Sequence, residues 1–153
     1  MNKNVLAAII CSFALMGCAT KSVNQDSSNQ NTATQNTLNE LKNGVSIHFA
    51  NNSSQIDSEY HPYISAAASG LAQNSTFKLK LDGYTDGSGS VATNRRLSIA
   101  RANSVANALV TEHGVNSEQL QMKGFGSSQP IASNATVEGR AMNRRVTMTL
   151  LTP

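Results

Sequence analysis

The chain has 153 residues, of which 39% are hydrophobic, 14% charged and 5% aromatic, with no tryptophan. Its formal charge is +3 at neutral pH, and Lys3, in the leading segment, carries one unit of it, so +3 less 1 leaves +2 for the rest. So small a charge excludes a nucleic-acid platform, the few aromatics argue against a sugar-stacking surface, and the length allows one domain with extensions.

The first segment, "MNKNVLAAIICSFALMGC", has a positive start at Lys3, an apolar run from Val5 to Met16, and Gly17 before Cys18. The run is too short for a bilayer, which needs about 20 residues, and residues 1–17 read as an export signal. The chain has two cysteines, and Cys11 lies inside that signal. Cys18 would then be a lone thiol in an oxidising compartment, where pairing is the rule. "LMGC" resembles the lipobox of bacterial lipoproteins, in which the signal is cut before a cysteine that carries lipid. Met16 stands where that motif usually has a small residue, and a plain secretory signal is the alternative. The resemblance implies that Ala19, in place of an aspartate, directs sorting to the outer membrane. Lys21 to Thr37 is almost wholly Ser, Asn, Gln and Thr, with too little apolar surface to build a core. We therefore expect a lipidated cysteine and a polar tether over 18–40, and a folded domain over 41–153.

"GVSIHFA" alternates through Val45, Ile47 and Phe49 and predicts a strand. Ile56, Tyr60, Ile64, Ala67, Ala68 and Leu71 repeat at helical spacing, with Asp57 or Ser58 as cap and Pro62 in the first turn, where it is tolerated. "FKLKLDGY" alternates with Phe77, Leu79 and Leu81 inward and Lys78, Lys80 and Asp82 outward. After the "TDGSGS" loop a second helix runs to about His113, where Gly114 can end it. "QLQMKGFG" predicts a third strand, "GRAMN" a helical turn within a long loop, and "RRVTMTLL" a last strand. This order predicts an α+β (α/β sandwich) domain of type βαβαββ, a mixed sheet with helices on one face.

The second helix carries an anomaly. Its apolar stripe includes Leu97, Val105, Ala108 and Leu109, yet Asn94 and Arg101, seven residues apart, share that face. A guanidinium on a core-facing stripe is costly unless paired and hydrogen-bonded. Asp86, in the loop before the helix, could bridge to it as a structural pair and help cap the helix. Alternatively, the two charges are kept apart, each for its own partner. A cleft with one carboxylate and one guanidinium suits a ligand bearing both an ammonium and a carboxylate, and arginine's planar fork takes a carboxylate in bidentate fashion.

"GYTDGSG", "NRRLSIARANSVANALV" and "GFGSSQPIASNATVEGRAMNRRV" together resemble the OmpA-like peptidoglycan-binding domain, including that of peptidoglycan-associated lipoproteins, over roughly 44–150. The resemblance implies that Asp86 and Arg101 grip the free amino-acid end of meso-diaminopimelate in cell-wall stem peptides. It implies hydrogen bonds from Asn94, an apolar contact from Leu97, and approach of backbone groups at Thr85. Asn51 and Asn52, after the first strand, match a loop the family also uses, although the aromatic–Asp pair of the peptidoglycan-associated lipoproteins is lacking. Asn143 and Arg144 match a recurrent "NRR" and are expected to support the site rather than touch the ligand. Peptidoglycan is thus the expected partner and the outer membrane the expected location, with a further envelope protein as a possible second partner and no cofactor.

Three other readings fit less well. "DGSGS" matches the D-x-S-x-S loop of metal-dependent adhesion domains, but such a site wants a second acidic oxygen, and no aspartate follows Asp86. A wall-cutting enzyme needs two opposed carboxylates, one kept protonated, or clustered metal ligands, whereas His48, His61 and His113 are scattered. We expect neither a metal site nor catalysis. The same fold serving chiefly as an interaction module for another envelope protein is the alternative to wall binding.

Overall fold

The computed structural model describes Asn36 and residues 38–153. The expected export signal, Cys18 and, apart from Asn36, the expected tether up to Thr37 lie outside the described residues. Residues 38–43 are helical, and Leu38 and Leu41 are buried in the core, Leu38 against Gly70. The folded part therefore begins before residue 41, because two leucines three apart on one helical face supply apolar surface that the tether lacks.

Four strands and three helices follow: β1 Val45–His48, α1 His61–Gln73, β2 Lys78–Gly83, α2 Val91–Thr111, β3 Leu120–Gly124, α3 Val137–Asn143 and β4 Arg145–Leu151. The sheet order is β1-β4-β2-β3, with β2 and β3 parallel and β4 antiparallel to both of its neighbours. This is the mixed α/β sandwich expected from the element order. The alternations resolve as read, since Ile47, Leu79, Leu81, Val146, Met148 and Leu150 point into the core. Asp57 caps a single 3-10 turn, Ser58–Tyr60, that leads into α1, and Pro62 sits in the first turn of α1. Gly114 follows α2 at φ +68, the left-handed conformation that lets glycine end a helix.

α3 is longer than the helical turn read at "GRAMN". It starts at Val137 because Thr136 caps it, its hydroxyl accepting from the Gly139 N–H at 3.0 Å.

The outer face of the sheet departs further from expectation. Asp82 does point away from the helices, but it is only 6% exposed. Lys80 pairs with it at 2.9 Å, and its cross-strand neighbours are Lys123 and Thr147. Beside it the Arg145 guanidinium lies 3.9 Å from the centre of the Tyr84 ring, Tyr84 stacks on Phe125 at 5.2 Å, and Lys123 lies over Phe125 at 4.8 Å. These cation–aromatic contacts span three strands and cover a face that carries no helix among the described residues.

α2 lies unusually close to the sheet. A Cβ on Gly83 would collide with the Ser98 carbonyl oxygen, and one on Gly124 would meet the Ser98 hydroxyl and Ile99. The Ser98 hydroxyl also accepts from the Gly126 N–H at 2.9 Å, binding the helix to the chain just past β3. Because the obstacle at Gly83 is backbone, Gly83→Ala is expected to destabilise the domain by about 1–3 kcal/mol. A urea midpoint equal to wild type would contradict this contact.

Candidate functional site

The chain leaves β2 along a path held by its neighbours. The Tyr84 N–H donates to the Arg145 carbonyl at 2.8 Å and the Thr85 N–H to the Gly126 carbonyl at 2.9 Å. The ladder thus persists past Gly83 and fixes Thr85 and Asp86 as the strand ends. Asn143, fully buried, accepts from the Ile131 and Ala132 N–H groups at 2.8 and 3.0 Å and donates to the Asn134 side-chain oxygen at 2.9 Å. That same oxygen accepts from the Gly87 N–H at 2.9 Å. Asn143 therefore braces the Asp86 loop from behind through Asn134.

At the start of α2 the cap is Ser90, whose hydroxyl accepts from the Thr93 N–H at 3.1 Å. Asp86 does not cap the helix. Its Oδ1 accepts from the Ser88 N–H at 2.9 Å, and the Asn94 amide donates to the Ser88 carbonyl at 2.8 Å. Asn94 is 4% exposed, so the first turn of α2 and the glycine-rich loop are tied together by a buried amide.

Arg101 does not bridge to Asp86. It is fully buried, and its Nε, Nη1 and Nη2 donate to the carbonyls of Ser53, Tyr84 and Ala50 at 2.8, 2.9 and 3.0 Å. The guanidinium carbon stands 5.3 Å from the centre of the Phe49 ring. These bonds use three of its five donors, leaving one on each terminal nitrogen. Among the described residues no salt bridge joins Arg101 to a carboxylate. Burial, and secondarily the nearby Arg144, lower its pKa to about 10, so it is charged at neutral pH.

The carboxylate instead meets Arg144, whose Nη1 lies 3.2 Å from Asp86 Oδ2. Arg144 Nε also donates to the Phe49 carbonyl at 3.0 Å, joining the last strand to the loop after β1. Burial pushes the Asp86 carboxyl upward, but the Ser88 N–H and the Arg144 guanidinium outweigh it and hold the group below its ordinary range.

These groups surround a cavity of about 210 Å³ lined by Asn51, Asn52, Thr85, Asp86, Ser88, Gly89, Thr93, Asn94, Leu97, Arg101 and Arg144. Every binding residue read from the sequence lines it. Arg144, expected only to support, lines it as well, because its ion pair with Asp86 draws the side chain off the end of β4. Leu97 is half-buried and contributes to the cavity wall rather than to the core stripe. Thr85 is among the lining residues, and its hydroxyl is buried without a hydrogen-bond partner, the kind of group that calls for a ligand or water.

Ser88, Gly89 and Thr93 complete the lining and were not singled out in the sequence. The first two stand in the glycine-rich loop, where their position beside Asp86 was the available signal. The carbonyls that hold Arg101 leave no trace in residue identity. A second opening, about 630 Å³, lies against the same loop and is lined by His48, Phe49, Ile56, Tyr60 and their neighbours. None of the expected site residues lines it.

Residues 48–144 match the OmpA family. Outer membrane protein Omp38 of Acinetobacter baumannii is 43% identical over 111 residues, 72% of this chain and 31% of that protein. Peptidoglycan-binding protein ArfA of Mycobacterium tuberculosis is 38% identical over 112 residues, 73% of this chain and 34% of that protein. The chain thus spans about a third of the length of these curated relatives. The crystal structure of the peptidoglycan-associated lipoprotein from Burkholderia pseudomallei superposes with a TM-score of 0.67 at 25% identity, covering 69% of this chain and 89% of that one. With most of its folded part inside the family match and the fold shared with a solved relative, this chain belongs to the OmpA family.

Proposed function

We propose that the domain binds peptidoglycan by taking the free amino-acid end of diaminopimelate into the cavity at the end of β2, and that it tethers the outer membrane to the wall. The observation that carries this reading is a buried, charged guanidinium that has no carboxylate partner among the described residues and lines a cavity together with Thr85, whose hydroxyl is buried without a hydrogen bond. A ligand carboxylate would take the two remaining N–H groups of Arg101, Asp86 would receive the ammonium, and Asn94 and Thr85 would orient the head group. The volume of about 210 Å³ suits one amino-acid head rather than a sugar chain. The names of two relatives, one peptidoglycan-binding and one peptidoglycan-associated, support the same partner.

The carboxylates at the cavity support a binding role. Asp86 is the one carboxylate in the cavity lining, and its partners keep it ionised. Asp82 lies on the outer face of the sheet, paired with Lys80. An ionised Asp86 without a second carboxylate in the cavity lining suits the binding of an ammonium, whereas glycan hydrolysis uses a protonated acid opposite a second carboxylate.

Losing one side of a desolvated charge contact typically costs 2–5 kcal/mol or about that. Arg101→Ala is therefore expected to abolish co-sedimentation with purified sacculi, and Asp86→Ala, which loses the ammonium contact, to weaken it. Arg101→Lys should weaken it strongly, because an ammonium cannot reach three carbonyls and a carboxylate at once. Sedimentation of both alanine variants at the wild-type level would refute the clamp.

The pH dependence has a definite sign. A carboxyl held below its usual range stays ionised as the pH falls, and Arg101 stays charged until about pH 10. Sacculus binding should therefore be flat from about pH 8 to pH 5, above the ordinary carboxylate pKa of about 4. A steep loss between pH 7 and 6 would implicate a histidine and count against this site.

Membrane attachment through a lipid on Cys18 is part of the proposal. The chain would be held by lipid in one layer and by many weak wall contacts in the other, so that effective concentration rather than single-site affinity sets retention. Cys18→Ser should move the protein from the membrane fraction to the soluble fraction, and an unchanged distribution would contradict the anchor.

A further inference from the structure

The cavity is not charge-balanced. Two guanidiniums, Arg101 and Arg144, and one carboxylate, Asp86, line it. Arg144 is paired with Asp86 at 3.2 Å, whereas among the described residues Arg101 pairs with no carboxylate. Arg144 is also fastened by its Nε to the Phe49 carbonyl at 3.0 Å, and its side chain is 16% exposed, so it is held against Asp86 rather than swinging in solvent. Asp86 therefore meets an arriving ammonium already half-satisfied, and Arg101 meets an arriving carboxylate unsatisfied.

Resting on the wall-binding reading above, we propose that Arg144 is a specificity-determining residue, which by neutralising Asp86 makes the cavity select its ligand by the head-group carboxylate more than by the ammonium. The site then rejects an amine without a carboxylate, because such a ligand brings a third positive charge beside two guanidiniums and leaves Arg101 unpaired. It tolerates a carboxylate without an ammonium, because Arg144 continues to satisfy Asp86. A wall whose third stem residue is lysine, which presents an ammonium alone, would thus be excluded chiefly by charge. A wall with diaminopimelate would be accepted. Arg101 supplies the attraction, and Arg144 sets the asymmetry.

The test compares three stem tripeptides that differ in the third residue: meso-diaminopimelate, 2-aminopimelate (no head ammonium) and lysine (no head carboxylate). Their affinities for the full-length protein are measured by calorimetry. For wild type, 2-aminopimelate should bind within about tenfold of diaminopimelate, and lysine weaker by about a hundredfold or more, one and two factors of ten in the binding constant. In Arg144→Gln the bare Asp86 should demand the ammonium, so the preference for 2-aminopimelate over lysine should fall by about tenfold or more. Arg144→Lys, which keeps the charge, should restore most of it.

A ratio within an affinity series is insensitive to general loosening of the site. If Arg144 were only a brace, all three ligands would weaken together and the ratio would stay at its wild-type value, which would overturn the inference. Failure of wild type to bind the diaminopimelate peptide at all would instead overturn the wall-binding reading on which it rests.

Discussion

The site depends on one buried cation and the three backbone carbonyls that hold it. Arg101 enters the interior from the middle of α2, and its fork reaches Ala50 and Ser53 in the loop after β1 and Tyr84 at the end of β2. Neutral carbonyls satisfy the geometry of a guanidinium without cancelling its charge. Burial of an unneutralised charge is tolerated because the acceptors are fixed dipoles in an already folded frame. One side chain thereby joins the helix, the loop and the strand end that form the cavity, and leaves the cavity with a charge to satisfy.

Around that cation the fold works as a set of stops. Gly83 and Gly124 let α2 approach the sheet, so Arg101 can reach over the strand ends. Arg144 ties β4 to the loop after β1 and to Asp86, and Asn143 holds the loop of residues 131–134 against Gly87. The two charged walls of the cavity are thus carried by different elements, each separately braced. Asp86 and Arg101 cannot collapse onto each other because each is already committed, the first to Arg144 and Ser88, the second to carbonyls. On the proposed reading, this enforced separation is what a zwitterionic ligand recognises.

The outer face of the sheet shows a parallel economy. Among the described residues no helix covers it, and the face is closed by Arg145, Tyr84, Phe125 and Lys123 in contact across three strands. Tyr84 links the two sides, since its ring lies on the outer face and its carbonyl accepts from Arg101.

Element order, the alternation of the strands and the stripe of α2 were legible in the residues, because period 2 and period 3.6 are local properties of the chain. The spacing of Asn94 and Arg101 on one helical face, with Asp86 just before the helix, likewise marked a polar site from sequence alone. What the chain could not announce was which partners its charges would take. Arg144 is 58 residues from Asp86, and the carbonyls that hold Arg101 belong to residues 17, 48 and 51 positions away. Backbone acceptors exist at every position and carry no residue signature, so only the packed fold selects among them. For the same reason Asp82 is outward in the pattern yet buried in the structure, since its cover comes from neighbouring strands. Local sequence thus determined which side chains were available on which face, and the tertiary structure decided which charges were neutralised and which one was left open.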